Sequence, residues 1–312
     1  MEAIKEPVDK ELIKRELTAD KFLRHTNKAG NEIYVVTAHD SPNIMTEIGR
    51  LRELSFRTAG GGTGKSIDVD EYDFMENPYK QLFVWDPKEE QIIGGYRFIN
   101  GKDVQIENGQ PKLATSEVYN FSEEFIDNYL TDTIELARSF VQPDYQSSKM
   151  GSKSLFALDN LWDGLGAIMV KEGNKYFFGK VTIYPQFDAV ARDLILGFIR
   201  KHFEDKEKLV SPKDPFQIQF SREEILKKFT QEDFKEDYKL LNTEVRALGV
   251  NIPPLVNAYM GLSDENKYFG GAVFPEFGNV IEFGLLVPTD KIHEEKKKRH
   301  IESFFKETEK NI

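Results

Sequence analysis

The side chains on which chemistry could be built are acids and arginines, and they fall in three short stretches. Arg50-Leu51-Arg52-Glu53-Leu54-Ser55-Phe56-Arg57 precedes a glycine loop and the acidic run Asp68-Val69-Asp70-Glu71-Tyr72-Asp73. Ile93-Gly94-Gly95-Tyr96-Arg97-Phe98 and Glu135-Leu136-Ala137-Arg138-Ser139-Phe140-Val141 each read as a strand. A placed carboxylate can take the proton of an attacking amine or hold a cationic group. Guanidinium groups can fix such acids by bidentate pairing, or bind the carboxylate or phosphate of a ligand. Strict alternation puts Glu135 and Ala137 on one sheet face and Leu136 and Arg138 on the other. Charge on both faces of a central strand is costly unless paired. A buried ion pair of Arg97 with Asp73 or Glu135 is therefore expected even without catalysis.

Several competing chemistries fall away. Ala59-Gly60-Gly61-Gly62-Thr63-Gly64-Lys65-Ser66 looks like a phosphate-cradling loop with alanine for its first glycine. Such a loop follows a buried strand and opens a helix. Here a polar helix precedes it, and Asp68, Asp70, Glu71 and Asp73 follow where a polyphosphate's charge would lie. Asp68 and Asp70 alternate as in a calcium loop, but Tyr72 takes the third ligand position and Asp73 that of the turn glycine. The five histidines show no paired zinc spacing. None precedes an aspartate as in the His-x4-Asp signature of glycerolipid O-acyltransferases. Zero cysteines exclude disulfides, thiolate metal sites and a cysteine nucleophile, and fit a reducing compartment. No Gly-x-Ser-x-Gly elbow is present, and the basic run at 296–300 reads as a solvated helix end.

The elements that must position these residues come from a chain of 312 residues, long enough for about two domains. A hydrophobic content of 39%, 12% aromatics and a formal net charge of −11 give a real core and exclude a disordered chain or a polytopic membrane protein. They also argue against a duplex nucleic-acid binder, which needs a broad cationic face. The charged N-terminus lacks the apolar stretch of a signal peptide, so a cytoplasmic location is expected.

Periodicity predicts an amphipathic helix over 8–24, a strand over 31–38 and a helix from Ser41 (N-cap) and Pro42 through Ile44, Ile48, Leu51 and Leu54. A hairpin follows over 81–86 and 91–99, then a short helix near 122–130, a strand over 133–141, a helix over 153–170, a strand over 176–183 and a helix over 188–203. This order implies a mixed α/β sandwich. The expected domains are a helical segment (1–30), a core (31–204) and a C-terminal α+β extension (205–312). The extension holds helices near 221–246, apolar runs at 271–275 and 279–288, and a charged helix over 290–310.

Taken together, the arginine-bearing helix, the acid-x-Asp-x-x-Asp, the Gly-x-x-Arg and the Glu-x-x-Arg resemble those of the acyl-homoserine-lactone synthases. They also resemble their relatives, the ornithine-lipid and glycine-lipid N-acyltransferases of the GNAT superfamily, often labelled hemolysin-like. The acid motif falls on Asp68, Asp70 and Asp73, with aspartate where the synthases carry glutamate; the strand arginine falls on Arg97, and Glu-x-x-Arg on Glu135 and Arg138. Gly249-Val250-Asn251-Ile252-Pro253-Pro254-Leu255-Val256-Asn257-Ala258-Tyr259, with Glu276-Phe277-Gly278 later, looks like the lipid-acyltransferase branch. The resemblance covers roughly residues 40–290.

It implies a GNAT-like mixed sheet sandwiched by helices. It also implies transfer of a long, 3-hydroxylated acyl chain to the α-amine of ornithine or glycine, in aminolipid synthesis. A lactone-type signal synthase using S-adenosylmethionine and a non-catalytic, membrane-active hemolysin-like protein are the alternatives. Glu135 and Asp73 are then the candidate bases or amine binders. Asp68, Asp70, Arg52, Arg97 and Arg138 would hold and shape the substrate pocket.

The loop 146–153 would receive the pantetheine phosphate of the donor on Lys149, Gly151 and Ser152. Its departure from the full Gln-x-x-Gly-x-Gly/Ala pattern favours an acyl-carrier-protein thioester over acyl-CoA, with no tightly bound cofactor or metal. An acidic carrier protein docking on this acidic chain requires a basic patch, from Lys149 and Lys153 or from Arg200 and Lys201. Peripheral contact with the inner membrane is a further expectation of the resemblance; a nucleic-acid partner is not.

Overall fold

Residues 1–146, 152–230 and 233–305 are described by a computed structural model, in which the chain divides into two units. The chain starts in the first unit with α1 (Lys10–Glu16), β1 (Phe22–His25), β2 (Glu32–Val36), α2 (Pro42–Thr58), α3 (Glu71–Phe74), β3 (Lys80–Asp86) and β4 (Gln91–Asn100). It passes into the second with β5 (Ile106–Glu107), β6 (Gln110–Pro111), β7 (Tyr119–Phe121) and α4 (Glu123–Asn128), then returns for β8 (Thr133–Val141) and α5 (Ser152–Glu172). The second unit resumes with β9 (Tyr176–Ile183), α6 (Ala189–Phe203), β10 (Val210–Pro212), α7 (Arg222–Lys228), α8 (Phe234–Ala247), α9 (Pro254–Met260), β11 (Lys267–Phe274) and β12 (Val280–Pro288). The chain ends in the first unit on α10 (Glu294–Lys297) and a π-turn over Lys298–Glu302.

In the first unit the strands run β1-β2-β3-β4-β8, every neighbour antiparallel. Alternation along β3 shows how helices sandwich this sheet. Gln81 meets Arg52 of α2, while Leu82, on the opposite face, receives α5. The helix comes close because Gly164 faces Leu82; a Cβ there would lie 2.8 Å from Leu82 Cδ1 and 3.2 Å from Ile33 Cγ2. Ile33, Leu82, Val84, Leu161 and Leu165 are fully buried in this layer. In the second unit β9, β12 and β11 pair antiparallel, and β7 pairs with β10. The fold is the mixed α/β class that the order of elements implies.

Two glycines let β4 lie against its neighbours. A Cβ on Gly94 would sit 2.3 Å from the carbonyl oxygen of Phe140 in β8, and one on Gly95 would sit 2.7 Å from that of Leu82 in β3. Neither backbone atom can move without breaking a ladder. Gly94→Ala is expected to destabilise by about 1–3 kcal/mol, read as a lower urea midpoint at unchanged slope. An unaltered midpoint would mean the strands can separate there at no cost.

Local signals were overridden in three places. The helix expected over 8–24 stops at Glu16, because Leu23 and Arg24 are buried in the edge strand β1. Ser41 makes no capping bond; instead Glu16 of α1 accepts from the N–H groups of Asn43 (3.1 Å) and Ile44 (2.8 Å) at the start of α2. The charged helix expected over 290–310 is interrupted. His300 is buried on the π-turn and bonds Asp163 of α5 at 2.7 Å.

Candidate active site

The glycine loop is closed from inside the protein. Glu53, one turn before the end of α2, accepts from the Thr63 hydroxyl (2.7 Å), the Thr63 N–H (3.0 Å), the Gly64 N–H (2.8 Å) and Arg57 Nε (2.6 Å). Gly62 and Gly64 adopt φ of +94° and +78°, which turn those N–H groups inward. Burial works to raise the Glu53 carboxyl, but the bonds from Thr63, Arg57 and Gly64 outweigh it and hold it below its ordinary range. The donors that a phosphate would need are thus spent on a protein carboxylate.

The loop delivers the chain to the acidic run, where the predicted site residues assemble. Asp70 caps the short helix α3, accepting from the N–H of Tyr72 (3.1 Å), while Asp73 accepts from the N–H of Asp70 (3.2 Å) in a capping box. Arg97 Nη1 from β4 reaches Asp70 Oδ1 at 2.6 Å and Asp73 Oδ2 at 3.3 Å. Arg52 from α2 reaches Asp73 Oδ2 at 3.4 Å and donates to Gln81 Oε1; Gln81 Nε2 in turn donates to Asp73 Oδ1 at 3.0 Å. From β8, Arg138 Nε lies 2.9 Å from Asp68 Oδ2, and its Nη2 lies 3.6 Å from Asp70 Oδ2. Glu135 of β8 accepts from the hydroxyl of Tyr79. Arg52, Asp68, Asp73, Tyr79, Gln81, Arg97 and Glu135 are all buried, and Asp70 is the most open of the acids.

Alternation alone would have separated Glu135 from Arg138, and the backbone explains why it does not. Two steps along β4, from Gly95 to Arg97, match three steps along β8, from Phe140 to Ala137. The extra residue makes a β-bulge, and Arg138 takes φ of +49° within it. One inserted residue resets the parity of the strand. Arg138 therefore turns to Asp70 on the side where Arg97 does, and Arg97 stacks over the Tyr79 ring that serves Glu135.

The electrostatics follow from burial and charge pairing. Burial works to raise the Asp70 carboxyl, but the charge and hydrogen bond of Arg97, then the charges of Arg138 and Arg52, hold it at about 2. Burial likewise disfavours the Arg97 cation; Asp73 and Asp70 more than restore it and keep it well above the ordinary arginine value. The expected pairing of Arg97 with Asp73 is present, and Asp70 is its nearer partner.

Two members of this network, Tyr79 and Gln81, escaped the sequence reading. The available signal was Gln81 itself, a polar residue set in the otherwise apolar QLFVWD. Of the expected donor contacts, Lys149 and Gly151 lie outside the described residues, and Ser152 is the first residue of the 21-residue helix α5. Lys201, one of the basic residues considered for docking, is instead committed to the buried Asp237, which also lies 3.1 Å from His202 Nε2. Among the described residues no helix is long and apolar enough to cross a membrane, and no group of three or more acids and histidines is placed to hold a metal ion.

Residues 51–154 match the acetyltransferase (GNAT) domain, a segment containing every member of the network from Arg52 to Arg138. An α/β fold carrying that domain makes this protein an acyltransferase. The glycine N(alpha)-acyltransferase of Phocaeicola vulgatus is 58% identical over 309 residues, 98% of this chain and 95% of that protein. The Bacteroides thetaiotaomicron protein of the same name is 58% identical over 306 residues, 97% and 91% of the two chains. The chain belongs to this glycine N(alpha)-acyltransferase family. Among solved structures, FeeM, an N-acyl amino acid synthase from uncultured soil microbes, aligns at TM-score 0.38 and 9% identity, covering 88% of this chain and 97% of that one. The CoA-dependent acyl-homoserine lactone synthase BjaI aligns at 0.31 and 14%, covering 49% and 67%.

Proposed function

We propose that the protein transfers a long acyl chain from a thioester to the α-amine of glycine, forming the amide that begins an aminolipid. The observation that carries this reading is the 58% identity, over nearly the whole chain, to proteins named for that acceptor. The site chemistry supports glycine over ornithine. An acid-rich pocket would suit ornithine's second amine, but each aspartate of the loop is engaged by an arginine: Asp68 by Arg138, Asp70 by Arg97, and Asp73 by Arg52 and Arg97.

In this reading Glu135 takes the ammonium proton. A free α-amine has a pKa of about 8, so one carboxylate suffices to deliver the neutral nucleophile. The amine nitrogen bonds to the thioester carbon, the carbon–sulfur bond breaks, and the second proton on the nitrogen passes to the departing sulfur, so that the pantetheine leaves as a thiol. Asp73, the other candidate base, is held by two arginines and Gln81, and we assign it with Arg52 to shaping the loop. Asp68, Asp70, Arg97 and Arg138 form the wall nearest the acceptor. Lys149, Gly151 and Ser152 receive the donor phosphate, and the donor is a 3-hydroxyacyl carrier protein working at the membrane surface.

The test is direct. Purified protein is given glycine or ornithine with a long-chain acyl carrier protein or the matching acyl-CoA, and products are read by mass spectrometry. Acylglycine from the carrier-protein donor is expected. Acylornithine as the main product would overturn the acceptor assignment, and faster turnover of acyl-CoA the donor assignment.

A further inference from the structure

Tyr79 bonds both Glu135 of β8 and the backbone of Tyr72 in the acidic run. It lies immediately before β3 and is wholly buried. Its backbone N–H donates to the carbonyl of Tyr72 at 2.9 Å, and its own carbonyl accepts from Gln81 Nε2 at 3.1 Å. Its ring meets that of Tyr72 edge-on, with centroids 5.7 Å apart and planes at 74°. The Arg97 guanidinium carbon lies 5.1 Å from the ring centre. Those ties fasten the residue to α3, β3 and β4; its hydroxyl crosses to β8, donating to Oε2 of Glu135.

We propose that Tyr79 is a positioning residue of the acyl-transfer site, its phenolic hydroxyl holding the Glu135 carboxylate in the orientation that meets the acceptor amine. The inference rests on Glu135 being the proton acceptor. A tyrosine present only as packing would need its ring and not its hydroxyl, since the contacts to Tyr72 and Arg97 are made by the ring face and edge. A donor aimed at a carboxylate makes the stronger, charge-assisted kind of bond and selects one side-chain rotamer. The charged groups of the network beside Tyr79 are Arg97, stacked over its ring, the Asp70 and Asp73 that Arg97 pairs, and the Arg52 and Arg138 that pair those acids in turn. Tyr79 donates to Glu135 through a neutral group.

The experiment compares Tyr79→Phe, replacement of Tyr79 by 4-aminophenylalanine, and each against Glu135→Gln in the full chain. Tyr79→Phe is expected to lower kcat about tenfold or more, as for loss of one hydrogen bond to a charged group. KM for glycine should stay within about twofold, because positioning acts in the transition state. The aminophenylalanine, which keeps ring and donor, should restore kcat to within about threefold. In the Glu135→Gln background Tyr79→Phe should remove nothing further.

Parental kcat in Tyr79→Phe, or a loss that the aminophenylalanine does not restore, overturns the proposal. If Tyr79→Phe fails to fold, the aminophenylalanine variant decides alone, a tenfold loss in a folded protein overturning the role. Parental activity in Glu135→Gln instead removes the reading of Glu135 as acceptor, an outcome distinct from failure at Tyr79.

Discussion

Glu135→Gln is expected to abolish acylglycine formation, with a loss of about 10²–10⁴-fold in kcat, while the protein melts within a few degrees of the parent. The substitution exchanges one oxygen for an NH2 and keeps the shape of the side chain. Its amide oxygen can still accept from Tyr79, so the bond that ties β8 to the segment before β3 survives. What is lost is the ability to take a proton. Circular dichroism with a thermal melt, run beside the acylation assay, separates the two roles. Inactive and folded supports proton transfer; inactive and unfolded assigns Glu135 to holding the sheet and the loop together. Active protein would send the search for a base elsewhere in the network. Asp70 would be a poor replacement, because a carboxyl held at about 2 by three arginines has little affinity for a proton near neutral pH.

How much of this site the sequence discloses depends on what kind of fact each residue carries. The strand at 133–141, the hairpin around Pro87-Lys88-Glu89-Glu90 and the long helix before Glu172 were legible because apolar spacing dictates them. The acidic loop as a meeting point of buried charges was legible because Asp68, Asp70 and Asp73 cluster in a sequence whose neighbouring elements carry arginines. Which face Arg138 would take was not. Its bulge depends on a left-handed backbone at a non-glycine residue, and that conformation is imposed by pairing with β4 rather than announced by residue type. Tyr79 and Gln81 were illegible for a related reason. A tyrosine and a glutamine at the start of a buried strand look ordinary until the aspartate and glutamate they bond are placed beside them. The capping of α2 by Glu16 is a third case, since a contact across 28 residues leaves no local trace.

Arg97→Ala should produce the largest loss of stability, about 3–5 kcal/mol, because it removes one partner of a buried charge network and leaves the others in place. Arg97 is 1% exposed and makes the 2.6 Å bond to Asp70, the 3.3 Å bond to Asp73 and the stacking contacts on Tyr72 and Tyr79. Without it, Asp73 keeps among the described residues only Arg52 as a cation partner, at 3.4 Å, and Asp70 the more distant Arg138 at 3.6 Å. Arg97→Lys should recover part of the loss, a point charge lacking the planar fork that serves two acids at once. Acid titration supplies an independent check. Asp70 has its carboxyl depressed in the folded state to about 2, against about 3.9 when unfolded, so its contribution is present above about pH 4 and is lost as the pH falls toward 2. Removing Arg97, the strongest of the depressing influences, should flatten that dependence between pH 4 and 2 as well as lower the plateau. A variant that melted like the parent and kept the parental acid sensitivity would show that the loop is held by packing of α3 against its neighbours, with the arginines free to serve the substrate.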